Sequence, residues 1–167
     1  LAVSILAIFN SLGRIIWGKI SDLAGRQPSL LAIFFIQGLT LLLLSQMKAF
    51  STFLTGISII GLCFGGLVAI LPAITADFFG TEHYGANYGW IFSAYGAGGL
   101  LGPYLAARLM KTSAIVKVRE FHSGRENPVQ TIVVGDYRQA FIMAGVFCLV
   151  AAAAMLLLKQ PKAEENQ

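Results

Sequence analysis

The sequence predicts an all-α integral membrane protein, and three observations support this fold class. Hydrophobic residues make up 56% of the 167 residues and charged residues only 12%, about half the charged share of an ordinary soluble domain. The apolar residues gather in long runs, each near the length that crosses a ~30 Å hydrocarbon core as a helix. Because these runs are too long for barrel strands and do not alternate in polarity, helices are the expected spanning form.

Five runs are candidate membrane spans, and none is interrupted by an acidic residue. They cover residues 1–20, 29–47, 52–76, 86–109 and 139–158. The segment 111–138 is longer than the other connections and has two β-prone stretches around "GRENP", so a hairpin and a disordered loop are both open. The chain starts at Leu1 inside an apolar run, without the basic region of a secretory signal. We therefore expect it to be the C-terminal part of a longer protein.

Catalytic, cofactor and metal chemistry have no sequence support. Cys63 and Cys148 both fall within predicted spans, where a lone thiol packs as a small apolar group. His83 and His122 lie in connecting segments. No nucleophile–base pair, phosphate loop or metal-ligand spacing is present, and the net charge of +4 is dispersed along the chain. We therefore expect no enzyme activity, no cofactor, no metal and no nucleic-acid partner.

A compact polar motif separates the first two runs. In "GKISDLAGR", Gly18, Asp22, Gly25 and Arg26 follow the spacing G-x-x-x-D-x-x-G-R. Gly25 permits the backbone conformation of a tight reversal, Asp22 can accept from amides at a helix start, and Arg26 offers a bidentate fork to a carboxylate. An ordinary polar loop with positive flanking residues is the alternative.

This motif resembles the loop signature of the major facilitator superfamily. The run 86–109 contains Gly98, Gly102 and Pro103, which look like a degenerate copy of that superfamily's Gly-Pro motif. The stretch from Ile74 to Pro103, together with "FNSLGR", is similar to the oxalate/formate antiporter family. The resemblance implies helices 8 to 12, a C-terminal half-bundle lacking its first helix, in a multi-pass protein of the plasma (inner) membrane. The missing N-terminal helices and the bilayer are its expected partners.

The family resemblance and the distribution of basic residues indicate opposite membrane orientations. The resemblance places the Asp22–Arg26 loop in the cytoplasm, where four basic residues would lie: Lys19, Arg26, Lys159 and Lys162. Seven would lie on the other side: Lys48, Arg108, Lys111, Lys117, Arg119, Arg125 and Arg138. We follow the resemblance, because the positive-inside bias acts mainly through short loops and early helices.

Arg14 is the sequence's main candidate for substrate binding. It precedes Asp22 by eight residues, which places it about 12 Å into the bilayer. A guanidinium at this depth is costly unless it faces a cavity or an anionic partner, and no predicted span holds an acidic residue as deep. It matches the basic helix-8 residue that oxalate/formate-type transporters are thought to use for a carboxylate. Pairing with a carboxylate in the missing helices is the alternative.

Tyr95 and Asn10 are candidate hydrogen-bonding neighbours of the bound carboxylate. Family members that exchange the oxalate dianion carry a lysine where Tyr95 stands in "SAYG". Tyr95 lies about 15 Å into its run, near the level of Arg14, and Asn10 precedes Arg14 by one helical turn. Tyr95 is equally compatible with a packing role.

The resemblance also implies a conformational gate. In this superfamily the loop arginine commonly pairs with an acidic residue at the end of the repeat-equivalent helix. We therefore expect Arg26 to pair with Asp77 in one state and Asp22 to face another helix's N-terminus, with Gly18 and Gly25 completing the gate loop. Close helix packing is expected at small residues and at the Gly-Pro motif, namely Gly61, Gly65, Gly98, Gly102 and Pro103.

Together these features predict a secondary active transporter of small organic anions, mono- or dicarboxylates, that works by alternating access. Two alternatives stay open. One is an exporter of another metabolite, in which Arg14 is structural. The other is a membrane scaffold or sensor that no longer transports.

Overall fold

Five long helices make up most of the described chain. The computed structural model describes residues 2–46, 50–109, 111–118, 121–122, 125–126 and 130–158, and of residues 111–136 only the backbone. The helices are α1 (Ala2–Ala24), α2 (Arg26–Leu44), α3 (Phe50–Phe79), α4 (Tyr84–Leu109) and α5 (Arg138–Leu157). The strands are β1 (Lys111–Val118), β2 (Phe121–His122), β3 (Arg125–Glu126) and β4 (Gln130–Asp136).

The turn between α1 and α2 is a single residue. Gly25 has φ 95°, a conformation that glycine adopts without the steric penalty of a side chain. α1 continues through Ser21 and Asp22 to Ala24, four residues beyond the predicted run, because polar side chains at a helix end do not interrupt its hydrogen bonds. The positive φ of Gly25 is what ends the helix, and α2 starts at Arg26.

Four of the five helices are long and apolar enough to cross a membrane: α1, α2, α3 and α5. The predicted fifth span over 86–109 coincides with most of α4, which is long enough but is not among these four. Its many glycines and tyrosines, such as Gly98 and Tyr95, contribute little hydrophobicity. Membrane crossing by α4 therefore stays a prediction.

The segment between α4 and α5 is built from antiparallel strands. β1 pairs with β4, from Lys111 opposite Asp136 to Val118 opposite Gln130, and the short β2 and β3 pair with each other. Of the two alternatives for this segment, its described backbone therefore adopts the hairpin.

Close backbone contact joins α1 to α3. A methyl group added at Gly13 would overlap the backbone of Leu62, and one added at Gly65 would overlap the carbonyl of Asn10. At Gly61 the added carbon would lie 2.9 Å from a backbone oxygen of α1. The two helices run in the same direction, and these small residues let their backbones approach as transmembrane helices commonly do.

A second glycine contact joins α2 to α5, which run antiparallel. A carbon added at Gly38 would lie 3.0 Å from the carbonyl oxygen of Gly145, and the reverse distance is the same. Between the two helix pairs lies a buried apolar cluster of Trp17, Leu30, Ile33, Cys63 and Ile70. These side chains connect α1, α2 and α3 into one packed unit.

Helix α4 lacks the close glycine contacts that join the other helices of the described chain. No residue of α4 is buried, and a methyl group at Gly98 or Gly102 would meet no atom within 4 Å. Pro103 is also exposed. Within the described part of the chain these three residues make no close helix contact, so their packing role stays a prediction. Gly102 lines a cavity of about 100 Å³ between α4 and α5.

Gly13→Ala tests the α1–α3 contact in the full-length protein. The added methyl meets unyielding backbone, so we expect the variant to lose about 1–3 kcal/mol of stability, measured as a lower midpoint of thermal unfolding in detergent. Gly18→Ala is the matched control on the same helix, because nothing lies within 4 Å of its added carbon. It should be neutral or gain up to about 1 kcal/mol from helix propensity. Equal midpoints for the two variants would contradict this packing.

Candidate functional site

A cavity of about 170 Å³ lies between α1, α3 and α4. Arg14 is the one charged side chain among the described residues that line it. α3 contributes a phenylalanine and three aliphatic side chains, and α4 contributes three aromatic rings. The lining residues are Arg14, Phe64, Leu67, Val68, Leu71, Tyr88, Phe92 and Tyr95.

The position of Arg14 follows from the glycine contact beside it. Gly13 lies directly against Leu62, and a carbon added at Gly65 would lie 3.1 Å from the backbone nitrogen of Arg14. The arginine therefore sits beside the α1–α3 seam, where its side chain borders the cavity. Among the described residues Arg14 has neither an ion pair nor a hydrogen bond. Its guanidinium is therefore available to an anion.

The structure places Tyr95 at the same cavity as Arg14. The Tyr95 ring is 46% exposed and contacts Phe64 and Phe92, with centroids 6.3 Å and 5.4 Å away. Within the described chain its hydroxyl has no hydrogen-bond partner. The ring packs against its neighbours, and the hydroxyl makes no hydrogen bond within the described chain. The environment of Tyr95 is therefore compatible with both the packing and the substrate-binding interpretation. A role in substrate binding stays a prediction.

Asn10 does not line this cavity. Its backbone carbonyl lies against Gly65, where α1 and α3 approach most closely. Although Asn10 and Arg14 are one helical turn apart, Asn10 lies in the helix seam and Arg14 lies beside it. The structure therefore does not support Asn10 as a neighbour of the bound carboxylate.

Sequence reasoning did not identify the aromatic walls of the cavity. Phe64, Leu67 and Leu71 follow the i, i+3, i+7 spacing of one helix face, and Tyr88, Phe92 and Tyr95 follow the i, i+4, i+7 spacing. This periodicity was the available signal. It is weak in helices that are apolar on every side, because many alternative faces fit the same pattern.

A polar cluster at the end of α1 forms the candidate gate. The Arg26 Nε donates to the Asp77 carboxylate at 3.1 Å. Its Nη1 donates to the Ser21 hydroxyl at 2.7 Å and also to the Asp22 carboxylate. One guanidinium thus connects the end of α1, the start of α2 and the end of α3. The ion pair expected between Arg26 and Asp77 is present, while its function as a gate stays a prediction.

Asp22 pairs with Arg26 in this structure. The N-terminus of α2 has no side-chain cap, and the Asp22 carboxylate accepts from the Arg26 side chain instead. The expectation that Asp22 faces the N-terminus of another helix stays a prediction. Arg26 follows Asp22 by four residues across the Gly25 turn, so its guanidinium lies close to this carboxylate.

Gln27 extends this cluster to α5. Its side-chain amide donates to the backbone carbonyl of Met155 at 2.7 Å and to that of Leu158. The last carbonyls of a helix lack partners within the helix, so Gln27 satisfies groups that α5 leaves unpaired. Arg26 and Gln27 together connect the start of α2 to the ends of three other helices.

Four membrane-length apolar helices, with a cation lining a cavity between three of the five helices, define a multi-pass integral membrane protein. The sequence model of the Major Facilitator Superfamily matches residues 1–167. The chain therefore belongs to the major facilitator superfamily, whose members are membrane transporters for small molecules and not enzymes.

Within the superfamily, the chain is similar to curated transporters. The chain is 31% identical to the oxalate:formate antiporter of Oxalobacter formigenes over 65% of its own length and 27% of that protein. It is 35% identical to monocarboxylate transporter 14 of Mus musculus over 62% of its own length and 20% of that protein. The chain thus spans about a quarter of the length of the curated relatives it matches.

Neutralising Asp77 tests the gate. The side chains of Arg26 and Asp77 are 23% and 53% exposed, so their pair should contribute only about 0–1 kcal/mol. We expect Asp77→Asn to leave the unfolding midpoint nearly unchanged but to shift the conformational equilibrium by up to about fivefold. The readout is the rate at which a water-soluble maleimide labels a cysteine introduced at Val68 in an otherwise cysteine-free protein.

Glu82→Gln is the matched control for this experiment. It removes an exposed carboxylate from the α3–α4 turn and should leave the labelling rate unchanged. In a double-mutant cycle, the effects of Asp77→Asn and Arg26→Gln on the labelling rate should not be additive, because both substitutions remove the same ion pair. Identical rates for Asp77→Asn and Glu82→Gln would show that the ion pair does not bias the equilibrium.

Proposed function

We propose that the full-length protein transports small organic anions with a carboxylate, by alternating access between two halves of a helical bundle. The observation that carries this proposal is the position of Arg14, a permanent cation about 12 Å inside the bilayer that lines a cavity. Within the described chain no acidic residue neutralises it. A substrate carboxylate supplies the missing charge through a bidentate contact.

The proposed roles follow from the cavity's lining. Arg14 binds the carboxylate, and the Tyr95 hydroxyl donates a hydrogen bond to it. The Arg26 cluster biases the equilibrium between the two open states. Substrate binding is completed by the remaining helices of the full-length chain, and the location is the plasma membrane. The relatives named for oxalate, formate and monocarboxylates support a carboxylate substrate.

Charge counting favours a monoanion. Tyr95 stands where the family resemblance implies a lysine, so the described residues provide one fixed positive charge at the cavity, that of Arg14. A second carboxylate would stay uncompensated, and a charge pair is worth about 4 kcal/mol at 4 Å with an effective dielectric near 20. Even a fraction of that energy disfavours a dicarboxylate.

Substitution of Arg14 tests the proposal in proteoliposomes that contain the full-length protein. Arg14→Ala should abolish uptake of labelled monocarboxylates, and Arg14→Lys should retain little because the planar fork is lost. Lys19→Ala is the matched control, since it removes an exposed cation of α1 that does not line the cavity. It should keep wild-type uptake. Undiminished uptake by a well-expressed Arg14→Ala protein would make Arg14 structural.

Tyr95→Lys tests the charge count. The new ammonium would give the cavity a second positive charge, so we expect the preference to shift from monocarboxylates towards oxalate by about tenfold or more. The measurement is competition between labelled formate and unlabelled oxalate in the same proteoliposomes. Tyr95→Phe, which adds no charge, should not produce this shift. Strong oxalate exchange by the wild-type protein would refute the charge count.

A further inference from the structure

The wall of the cavity opposite the proposed carboxylate site is a continuous series of aromatic rings. Along α4, the Tyr88 and Phe92 centroids lie 5.4 Å apart, and the Phe92 and Tyr95 centroids are also 5.4 Å apart. Phe64 of α3 extends the series, 6.3 Å from Tyr95. Such tilted contacts are favourable for aromatic pairs, so the rings form a defined surface.

Apart from Arg14 and the hydroxyls of Tyr88 and Tyr95, the described lining of the cavity is apolar. Five of its eight lining side chains carry no polar atom: Phe64, Leu67, Val68, Leu71 and Phe92. A hydroxyl or a second carboxylate placed against them would lose its hydration without gaining a hydrogen bond. The faces of the rings are also electron-rich and repel negative charge.

We propose that the α3–α4 wall selects monocarboxylates whose other end is apolar, with Phe92 setting the size of the group that fits. This inference rests on the proposed function, because it assumes that the carboxylate lies at Arg14. The apolar group of the substrate then contacts Phe64 and Phe92, and its burial adds to the affinity that the single charge pair supplies.

Three labelled monocarboxylates separate charge from tail chemistry: butyrate, 4-hydroxybutyrate and phenylacetate. All carry one negative charge at neutral pH, so Arg14 does not distinguish between them. The wild-type full-length protein should transport butyrate at least about tenfold more efficiently than 4-hydroxybutyrate. Equal transport of these two substrates would overturn the inference.

Phe92→Ala should enlarge the apolar end of the site. We expect the ratio of phenylacetate to butyrate uptake to rise by about tenfold, with uptake still dependent on Arg14. Phe35→Ala is the matched control, because Phe35 of α2 is 52% exposed, close to the 49% of Phe92, and does not line the cavity. The control should change the ratio by less than about twofold.

The outcomes distinguish this inference from the proposed function. If uptake requires Arg14 but Phe92→Ala leaves the ratio unchanged, or Phe35→Ala shifts it equally, the inference is wrong and the proposed function stands. If Phe92→Ala fails to fold, Phe92→Leu replaces it and should shift the ratio in the same direction. A wild-type protein that transports no carboxylate refutes the proposed function. In that case, butyrate must still raise the unfolding midpoint of the purified protein more than 4-hydroxybutyrate does, or the inference falls as well.

Discussion

The close contact between the backbones of α1 and α3 is the constraint on which the rest of the structure depends. In a bilayer, helices gain little from burying apolar surface against each other, so association relies on tight packing and hydrogen bonds. Gly13, Gly61 and Gly65 allow that packing. The contact also determines the position of Arg14, because a residue next to the helix seam must border the space beside it. In this structure that space is the cavity whose other walls are α3 and α4. Helix packing and the candidate substrate site therefore have a common origin in the sequence.

The polar cluster around the α1–α2 turn provides the second constraint. Arg26 contacts the ends of α1 and α3, and Gln27 contacts the end of α5. These contacts are partly exposed and contribute little stability, yet they hold four helices at one end of the bundle. A conformational change that breaks a few exposed hydrogen bonds requires less energy than one that separates a glycine seam. The hydrogen bonds of this cluster can therefore break and let the helix ends separate while the glycine contact between α1 and α3 stays intact.

Particular residues show how far the sequence could predict this structure. The long apolar runs predicted the helices, and the loop motif predicted the turn at Gly25, because a short motif encodes local geometry. The contact between Arg26 and Asp77 joins residues 51 positions apart and was predicted from the resemblance to the superfamily. The contact of Gln27 with the end of α5 could not be predicted, since it joins residues 128 positions apart through a side chain with no distinctive pattern. Asn10 was misplaced because helices that are apolar on every side do not reveal which face meets which neighbour. The aromatic face of α4 was missed for the same reason.

The central claim is that a fixed positive charge in the cavity between α1, α3 and α4 binds the substrate's carboxylate. The most direct measurement replaces that charge chemically. In a full-length protein with Cys63→Ala and Cys148→Ala, Arg14→Cys should not transport monocarboxylates. Reaction of the new thiol with aminoethyl methanethiosulfonate attaches a cationic group through a disulfide and releases methanesulfinate, whereas methyl methanethiosulfonate attaches a neutral one. The account predicts that the cationic reagent restores part of the uptake and that the neutral reagent does not. Equal effects of the two reagents, at equal extents of labelling, would contradict it.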